Sequence, residues 1–165
     1  MTAPRTPRTV RVGLAFALAV LSAASASPQD QRRLTPNEIA AMVKGGAGAG
    51  TSGVVGIRTT VLSGDPTLAG PYTIEIRVPA HTRIAAHRHR DDRSAVVVSG
   101  TWWFGYGARA DEALVKALGP GSFYTEPAAQ PHFALTRDEP AVVYITGFGP
   151  TDTQYVETAT DLRRP

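Results

Sequence analysis

The sequence predicts an all-β fold, an antiparallel sandwich, jelly roll or barrel, with one short helix before the strands. From position 54 onward the chain contains at least eight short segments rich in Val, Ile, Thr and aromatic residues, bounded by Gly, Pro or Asp. Its 16 Gly and 13 Pro supply frequent turns, which favours short strands over long helices. A length of 165 residues fits one domain. The predicted strands are VVGIRTTVL, YTIEIRV, SAVVVS, TWWFGYG, SFYT, HFAL, AVVYITGF and QYVET.

The first 26 residues resemble a secretory signal peptide and are set apart from the fold. Arginines at positions 5, 8 and 11 precede an apolar run at 12–21, and Ala24-Ser25-Ala26 offers small residues for cleavage. The apolar run is about half of the roughly 20 residues that a membrane-spanning helix needs. We therefore expect residues 1–26 to be removed on export and the mature protein to be periplasmic or secreted.

The charge of the mature chain argues against nucleic acid and membrane partners. The full sequence has 17 Lys and Arg against 14 Asp and Glu, and three arginines but no acidic residue lie in 1–26, which leaves 14 against 14. No block of basic residues remains to attract nucleic acid or an anionic membrane. The chain has no cysteine, which excludes disulfides and thiol chemistry.

A short helix is predicted to begin after Thr35 and to end before the glycine-rich stretch 45–53. Thr35 and Glu38 have the spacing of a capping box, and Pro36 suits the first helical position. Glycine loses much conformational freedom on ordering, so we expect 45–53 to form a flexible connector. Inside the β region only 111–118 (DEALVKAL) permits a helix, and a loop followed by a strand explains it equally well.

Three of the four histidines have a spacing that suits a metal site. His87 and His89 are two residues apart, so on a strand both imidazoles point to one face and can converge on one ion. His132 follows a turn at the start of HFAL and can complete a three-histidine site for a divalent transition metal ion. The alternative is that His87 and His89 lie in an exposed basic loop, AAHRHRDDR. His81 lies in a turn, and we predict that it is a surface residue.

Two segments around these histidines resemble the two motifs of the cupin superfamily. The first motif is His-x-His, three or four residues, Glu, six residues, Gly; the second is Gly, five residues, Pro, one residue, Gly, two residues, His, three residues, Asn. The matching positions are His87, His89 and Gly100 in the first motif and Gly121, Pro127 and His132 in the second. The segments HRHRDDR, SGTWWFGYG and LGPGSFYTEPAAQPHFA are similar to those of exported bacterial cupins of undefined role. This resemblance implies a double-stranded β-helix, the cupin jelly-roll barrel, and a metal bound by the three histidines.

The sequence departs from the cupin pattern at Arg93, which stands where the first motif has glutamate. A guanidinium stays protonated and cannot coordinate a metal. In one interpretation Arg93 binds a substrate carboxylate or phosphate beside a three-histidine metal. In a second, Asp91 or Asp92 supplies the carboxylate and Arg93 pairs with the other aspartate. In a third, no metal binds. Ala129 and Thr136 also replace a glycine and an asparagine of the second motif.

Other side chains near the motifs have weaker signals. Trp102, Phe104 and Tyr106 share one parity along their strand, and we predict that they fill the barrel core, with ligand contact as the alternative. Tyr124 and Glu126 also share parity. Glu126 is interpreted as an exposed turn residue, with a role as general base or as a partner of the metal ligands as the alternative.

The predicted order is a signal peptide (1–26), a polar segment with a short helix and Gly-rich linker (27–53), the cupin barrel (54–150) and a C-terminal strand or tail (151–165). The predicted function is an exported, metal-binding cupin-domain protein that acts on or senses a small molecule. Its reaction stays open, because a three-histidine metal can activate water, bind dioxygen or polarise a carbonyl. The alternative is a non-catalytic, metal-free ligand-binding or structural barrel protein. The resemblance also implies a homodimer, formed through exposed barrel strands.

Overall fold

A computed structural model describes residues 30–42, 45–46 and 50–156 of the chain. The predicted signal peptide at 1–26 lies outside these residues. The helical elements are α1 (Pro36–Ala41) and a 3-10 turn (Glu112–Leu114). The strands are β1 (Arg58–Ser63), β2 (Gly70–Val78), β3 (Arg83–Arg88), β4 (Arg93–Ser99), β5 (Trp102–Tyr106), β6 (Lys116–Leu118), β7 (Phe123–Glu126), β8 (His132–Leu135), β9 (Ala141–Gly149) and β10 (Gln154–Tyr155).

The strands form two five-stranded antiparallel sheets, which confirms the predicted all-β jelly roll. The strand order is β1-β2-β9-β4-β7 in one sheet and β10-β3-β8-β5-β6 in the other. Along β9, the buried Ala141, Val143 and Ile145 alternate with more exposed neighbours, as expected when one face of a strand packs on a core. One cluster of buried side chains joins residues of both sheets. The core therefore lies between the sheets.

The helix begins as predicted and ends earlier than predicted. The Glu38 carboxylate accepts a hydrogen bond from the Thr35 backbone N–H at 2.7 Å, and the Thr35 hydroxyl accepts one from the Glu38 N–H at 3.4 Å, which confirms the capping box. The helix ends at Ala41, because Met42 has an extended backbone with ψ 154°. Only Ile39 of α1 is buried, so little packing supports a longer helix.

Two observed strands were absent from the predicted set. β3 (RIAAHR) has one β-branched residue and two alanines, so it lacks the enrichment in Val, Ile, Thr and aromatic residues by which strands are recognised. β6 follows the 3-10 turn in the segment DEALVKAL, which agrees with a loop followed by a strand rather than a helix.

Among the described residues, no helix is both long and apolar enough to cross a membrane.

Backbone conformation explains one motif position and the cost of another. Gly100 has φ +71°, and a Cβ placed there would lie 2.0 Å from the carbonyl oxygen of Pro140, so only glycine fits without a shift. Ala129, which replaces the glycine of the second motif, has φ +60°. A left-handed conformation costs a residue with a side chain about 1–2 kcal/mol. The chain therefore keeps the turn that the motif glycine serves, at some cost in stability.

Candidate metal centre

The three histidines predicted as ligands meet inside the barrel. His87 lies on β3, His89 follows the end of that strand, and His132 begins β8. His87 and His132 are direct partners in the β3–β8 register. One ring nitrogen from each histidine lies within 4.8 Å of the other two, and each residue is at most 5% exposed. The alternative of an exposed basic loop is therefore wrong.

Hydrogen bonds to the backbone orient all three rings. Nδ1 of His87 donates to the carbonyl of Ala85 at 2.8 Å, and Nδ1 of His132 donates to that of Gln130 at 3.2 Å. Nδ1 of His89 donates to the carbonyl of Asp152. A carbonyl only accepts, so in each ring the proton lies on Nδ1 and Nε2 has a free lone pair. This is the usual arrangement of histidines that bind metal through Nε2.

Burial keeps the three rings neutral. Loss of solvent, and then the neighbouring His132, lower the pKa of His87 to about 4. Loss of solvent and the nearby Arg93 charge lower the pKa of His89 to about 3. Burial also lowers the pKa of His132. Neutral imidazole is the form that binds metal, so at neutral pH no proton has to leave these ligands.

Arg93 lies beside the histidines and forms a buried ion pair with Glu126. The two residues face each other in the β4–β7 register and are 5% and 3% exposed. Arg93 Nε donates to Glu126 Oε2 at 2.6 Å, and Nη1 donates to the carbonyl of Gly50 at 2.7 Å. Nη2 contacts both Glu126 Oε2 and His89 Nε2. All three guanidinium nitrogens therefore bond to protein groups.

The interpretation of Glu126 as an exposed turn residue is wrong. Burial opposes its charge, but the Arg93 guanidinium outweighs burial and lowers the pKa of the Glu126 carboxyl to about 2. The carboxyl is therefore ionised. Its Oε2 lies 3.7 Å from Nε2 of His89 and 3.7 Å from Nε2 of His132. Two sequence signals mark this position: the parity shared with Tyr124, which is also buried, and its place one residue before the motif Pro127.

The structure excludes the interpretation in which an aspartate replaces the motif glutamate. Asp91 accepts hydrogen bonds from the hydroxyls of Tyr72, at 2.8 Å, and Thr151, at 2.6 Å. Asp92 is exposed and accepts from the Ala128 N–H at 2.8 Å. The role of Arg93 in binding a substrate anion stays a prediction. Such an anion would have to displace Glu126 or the Gly50 carbonyl.

The site opens on a small cavity between the sheets. Its free space is about 30 Å³, enough for a water-sized group. Part of its wall is Gly50–Ser52, within the segment predicted to be a flexible connector. Three side chains hold that part through its carbonyls: Arg93 bonds to Gly50, the Thr153 hydroxyl to Thr51 at 2.8 Å, and the Tyr155 hydroxyl to Ser52. This stretch therefore packs on the barrel.

The remaining predicted residues have different environments. Trp102 and Phe104 are buried core residues that also line the cavity. Tyr106 is 51% exposed, so its assignment to the core is wrong; its hydroxyl donates to the carbonyl of Thr125. His81 is a surface residue, as predicted.

Comparison with solved structures supports the same architecture. No protein-family model matches the chain, and no curated protein matches its sequence. The polyketide cyclase RemF from Streptomyces resistomycificus is 15% identical, with a TM-score of 0.63 over 80% of this chain and 89% of that chain. An RmlC-like cupin from Shewanella frigidimarina NCIMB 400 is 15% identical, with a TM-score of 0.54 over 73% of this chain and 92% of that chain.

A cupin 2 conserved barrel domain protein from Rhodopseudomonas palustris is 18% identical, with a TM-score of 0.51 over 64% of this chain and 70% of that chain. At these identities the likeness concerns the fold. The sheet topology, the two motifs and these neighbours agree. The chain has the cupin fold.

Proposed function

We propose that this chain is an exported, metal-binding protein of the cupin fold that acts on or senses a small molecule. The convergence of three histidine Nε2 atoms in a buried cavity, with every Nδ1 bonded to a backbone carbonyl, carries the proposal. Nε2 of His132 is buried and has no hydrogen-bond partner among the described residues. A divalent transition metal ion would satisfy it, with His87, His89 and His132 as the ligands.

The bound ion would supply Lewis acidity, which polarises a carbonyl or activates water. The residues around the histidines limit how tightly this site can bind a metal. Arg93 donates to His89 Nε2, so this contact must be released before His89 can bind a metal. Two unit charges at 4 Å repel by about 4 kcal/mol at an effective dielectric constant near 20. We therefore expect Arg93 to reduce the metal affinity of the site.

A small-molecule ligand needs more room than the cavity holds. With about 30 Å³ of free space, the cavity admits a ligand only if part of its wall moves. Gly50–Ser52 lies outside the strands and is held there by side-chain hydrogen bonds to its carbonyls. We infer that a ligand enters past this stretch.

Export to the periplasm or beyond belongs to the same proposal and is supported by the sequence of residues 1–26 alone. N-terminal sequencing of protein from the native host tests it.

One observation favours a second candidate, a metal-free ligand-binding barrel. The Arg93 guanidinium already donates to His89 Nε2, and Glu126 balances its charge. An internal cation of this kind takes up one of the three lone pairs that a metal would use. In this candidate the buried polar cluster orders the barrel interior and holds no ion.

Metal content separates the two candidates. The purified chain is incubated with Co²⁺ or Zn²⁺, freed of excess ion and assayed by elemental analysis beside a His87→Ala, His132→Ala double variant. We expect about one ion per native chain and less than about a tenth in the variant. His81→Ala is the matched control, because His81 is exposed and outside the cluster. Less than about a tenth of an equivalent in the native chain would favour the metal-free candidate.

A further inference from the structure

We propose that Glu126 supplies the carboxylate ligand of this metal centre, and that Arg93 is the positioning residue for that carboxylate. The cupin motif has its glutamate at position 93, on β4. In this chain the glutamate stands on the adjacent strand β7, and an arginine stands on β4. The inference rests on the proposed function, since it concerns the same metal.

Because β4 and β7 are paired, a glutamate on either strand at this register position can face the same part of the cavity. Arg93 and Glu126 are direct partners in the β4–β7 register. The Cβ atoms of directly opposed residues lie about 4.5–5.5 Å apart, so a carboxylate on either strand can reach the same part of the cavity. Both residues line the cavity together with His87 and His132. Glu126 can therefore reach the position that the motif glutamate would occupy.

The distances suit a shared ion. Glu126 Oε2 lies 3.7 Å from the Nε2 atoms of both His89 and His132. Ligand bonds of about 2.0–2.2 Å place neighbouring ligand atoms roughly 3.0–3.5 Å apart around a zinc-like ion. The carboxylate oxygen is thus within a few tenths of an ångström of that spacing from two ligands on different strands.

The lone pairs of the three histidine Nε2 atoms and of the Glu126 carboxylate face one region of the cavity, where a cation would be stabilised. Nδ1 of each histidine carries its proton, because it donates to a carbonyl, so the Nε2 atoms present lone pairs. The Glu126 carboxyl adds oxygen lone pairs, with Oε2 3.7 Å from Nε2 of His132. Arg93 donates to Glu126 and to His89, and it leaves His132 Nε2 buried without a partner among the described residues. An ion pair between Arg93 and Glu126 leaves that nitrogen without a partner, whereas a metal at this point would satisfy it.

In this arrangement Arg93 holds the Glu126 carboxylate in position. Its Nε bond to Glu126 at 2.6 Å and its Nη1 bond to Gly50 at 2.7 Å fix the guanidinium at the start of β4. These two bonds hold the carboxylate in place. Metal binding would displace the Nη2 contacts with His89 and Glu126 and leave the Nε and Nη1 bonds.

The test measures Co²⁺ binding to the full purified chain by calorimetric titration and by the cobalt visible absorption spectrum. Glu126→Gln alone leaves Arg93 buried without its counter-charge and endangers the fold, so Arg93→Met is compared with Arg93→Met, Glu126→Gln. These two variants differ only in the carboxylate. Glu75→Gln is the matched control, because Glu75 is also a buried glutamate, paired with Arg77 at 2.7 Å and absent from the cavity lining.

We expect Arg93→Met to bind Co²⁺ at least as tightly as the native chain, because the charge repulsion that Arg93 exerts on the ion outweighs the hydrogen bond by which it positions Glu126. The double variant should bind about 100-fold more weakly or worse and show a changed spectrum, since even outer partners of metal ligands contribute about 10–100-fold. Equal affinity and equal spectra in the two variants overturn the assignment of Glu126 and leave the three-histidine metal standing. An equal loss in Glu75→Gln also overturns it. Absence of Co²⁺ binding in the native chain instead overturns the proposed function itself.

Discussion

The buried ion pair gives the most exacting test of how the barrel interior is stabilised. In Glu126→Gln the side chain keeps its size but loses its charge, while Arg93 stays 5% exposed and protonated. A guanidinium cannot be deprotonated in a protein, so Arg93 does not escape by losing its proton. The variant therefore leaves an uncompensated buried charge.

The expected loss of stability is large. Breaking a buried ion pair by removing one partner costs about 3–5 kcal/mol. The 2.6 Å Arg93–Glu126 bond and the burial of both side chains place this pair in that class. Arg93→Met, Glu126→Gln removes both charges together, so it should lose about 2 kcal/mol less than the sum of the two single variants.

Urea unfolding followed by tryptophan fluorescence, with a chelator present, measures these free energies. Glu112→Gln is the matched control, because the Arg83–Glu112 pair spans 3.6 Å with side chains 44% and 56% exposed. An exposed pair of this kind contributes less than about 1 kcal/mol. A cost for Glu126→Gln below about 1 kcal/mol, or single-variant costs that simply add in the double variant, would refute this reasoning.

Three further predictions concern pH, a motif glycine and the cavity wall. The unfolded chain protonates His87 near pH 6.5 and the folded chain only near pH 4, so His87 alone should lower the stability of the metal-free chain by about 3 kcal/mol as pH drops through this window. Unfolding of His87→Gln at several pH values checks this, and an unchanged pH slope would contradict it. Gly100→Ala should cost more than about 2 kcal/mol, while Gly119→Ala, with open space at its Cβ, should cost less than about 1 kcal/mol in the same assay. Tyr155→Phe removes the hydrogen bond to Ser52 and, at about 1 kcal/mol, should raise opening of Gly50–Ser52 about five-fold by hydrogen exchange. Unchanged exchange there would show that another contact holds this part of the wall.

Local signals in the chain predicted much of the fold. The capping box of Thr35 and Glu38 acts within four residues, and the structure contains it. Turn residues and β-rich segments predicted most of the strands, because both depend on near neighbours. β3 was not among the predicted strands. Its two alanines and two arginines give no β-rich signal, so this strand depends on pairing with β8, which no local pattern reports.

In the candidate site, too, the sequence predicts features that depend on near neighbours and misses contacts between distant residues. The sequence by itself determined the three histidines, because the two-residue spacing of His87 and His89 and the motif position of His132 are properties of the chain order. The tertiary structure alone decided the partner of Arg93. Glu126 is 33 residues away in sequence, and the two meet only because β4 and β7 pair in one register. Strand periodicity says which face a side chain takes, but the residue opposite it depends on strand order and register, which the packed core decides.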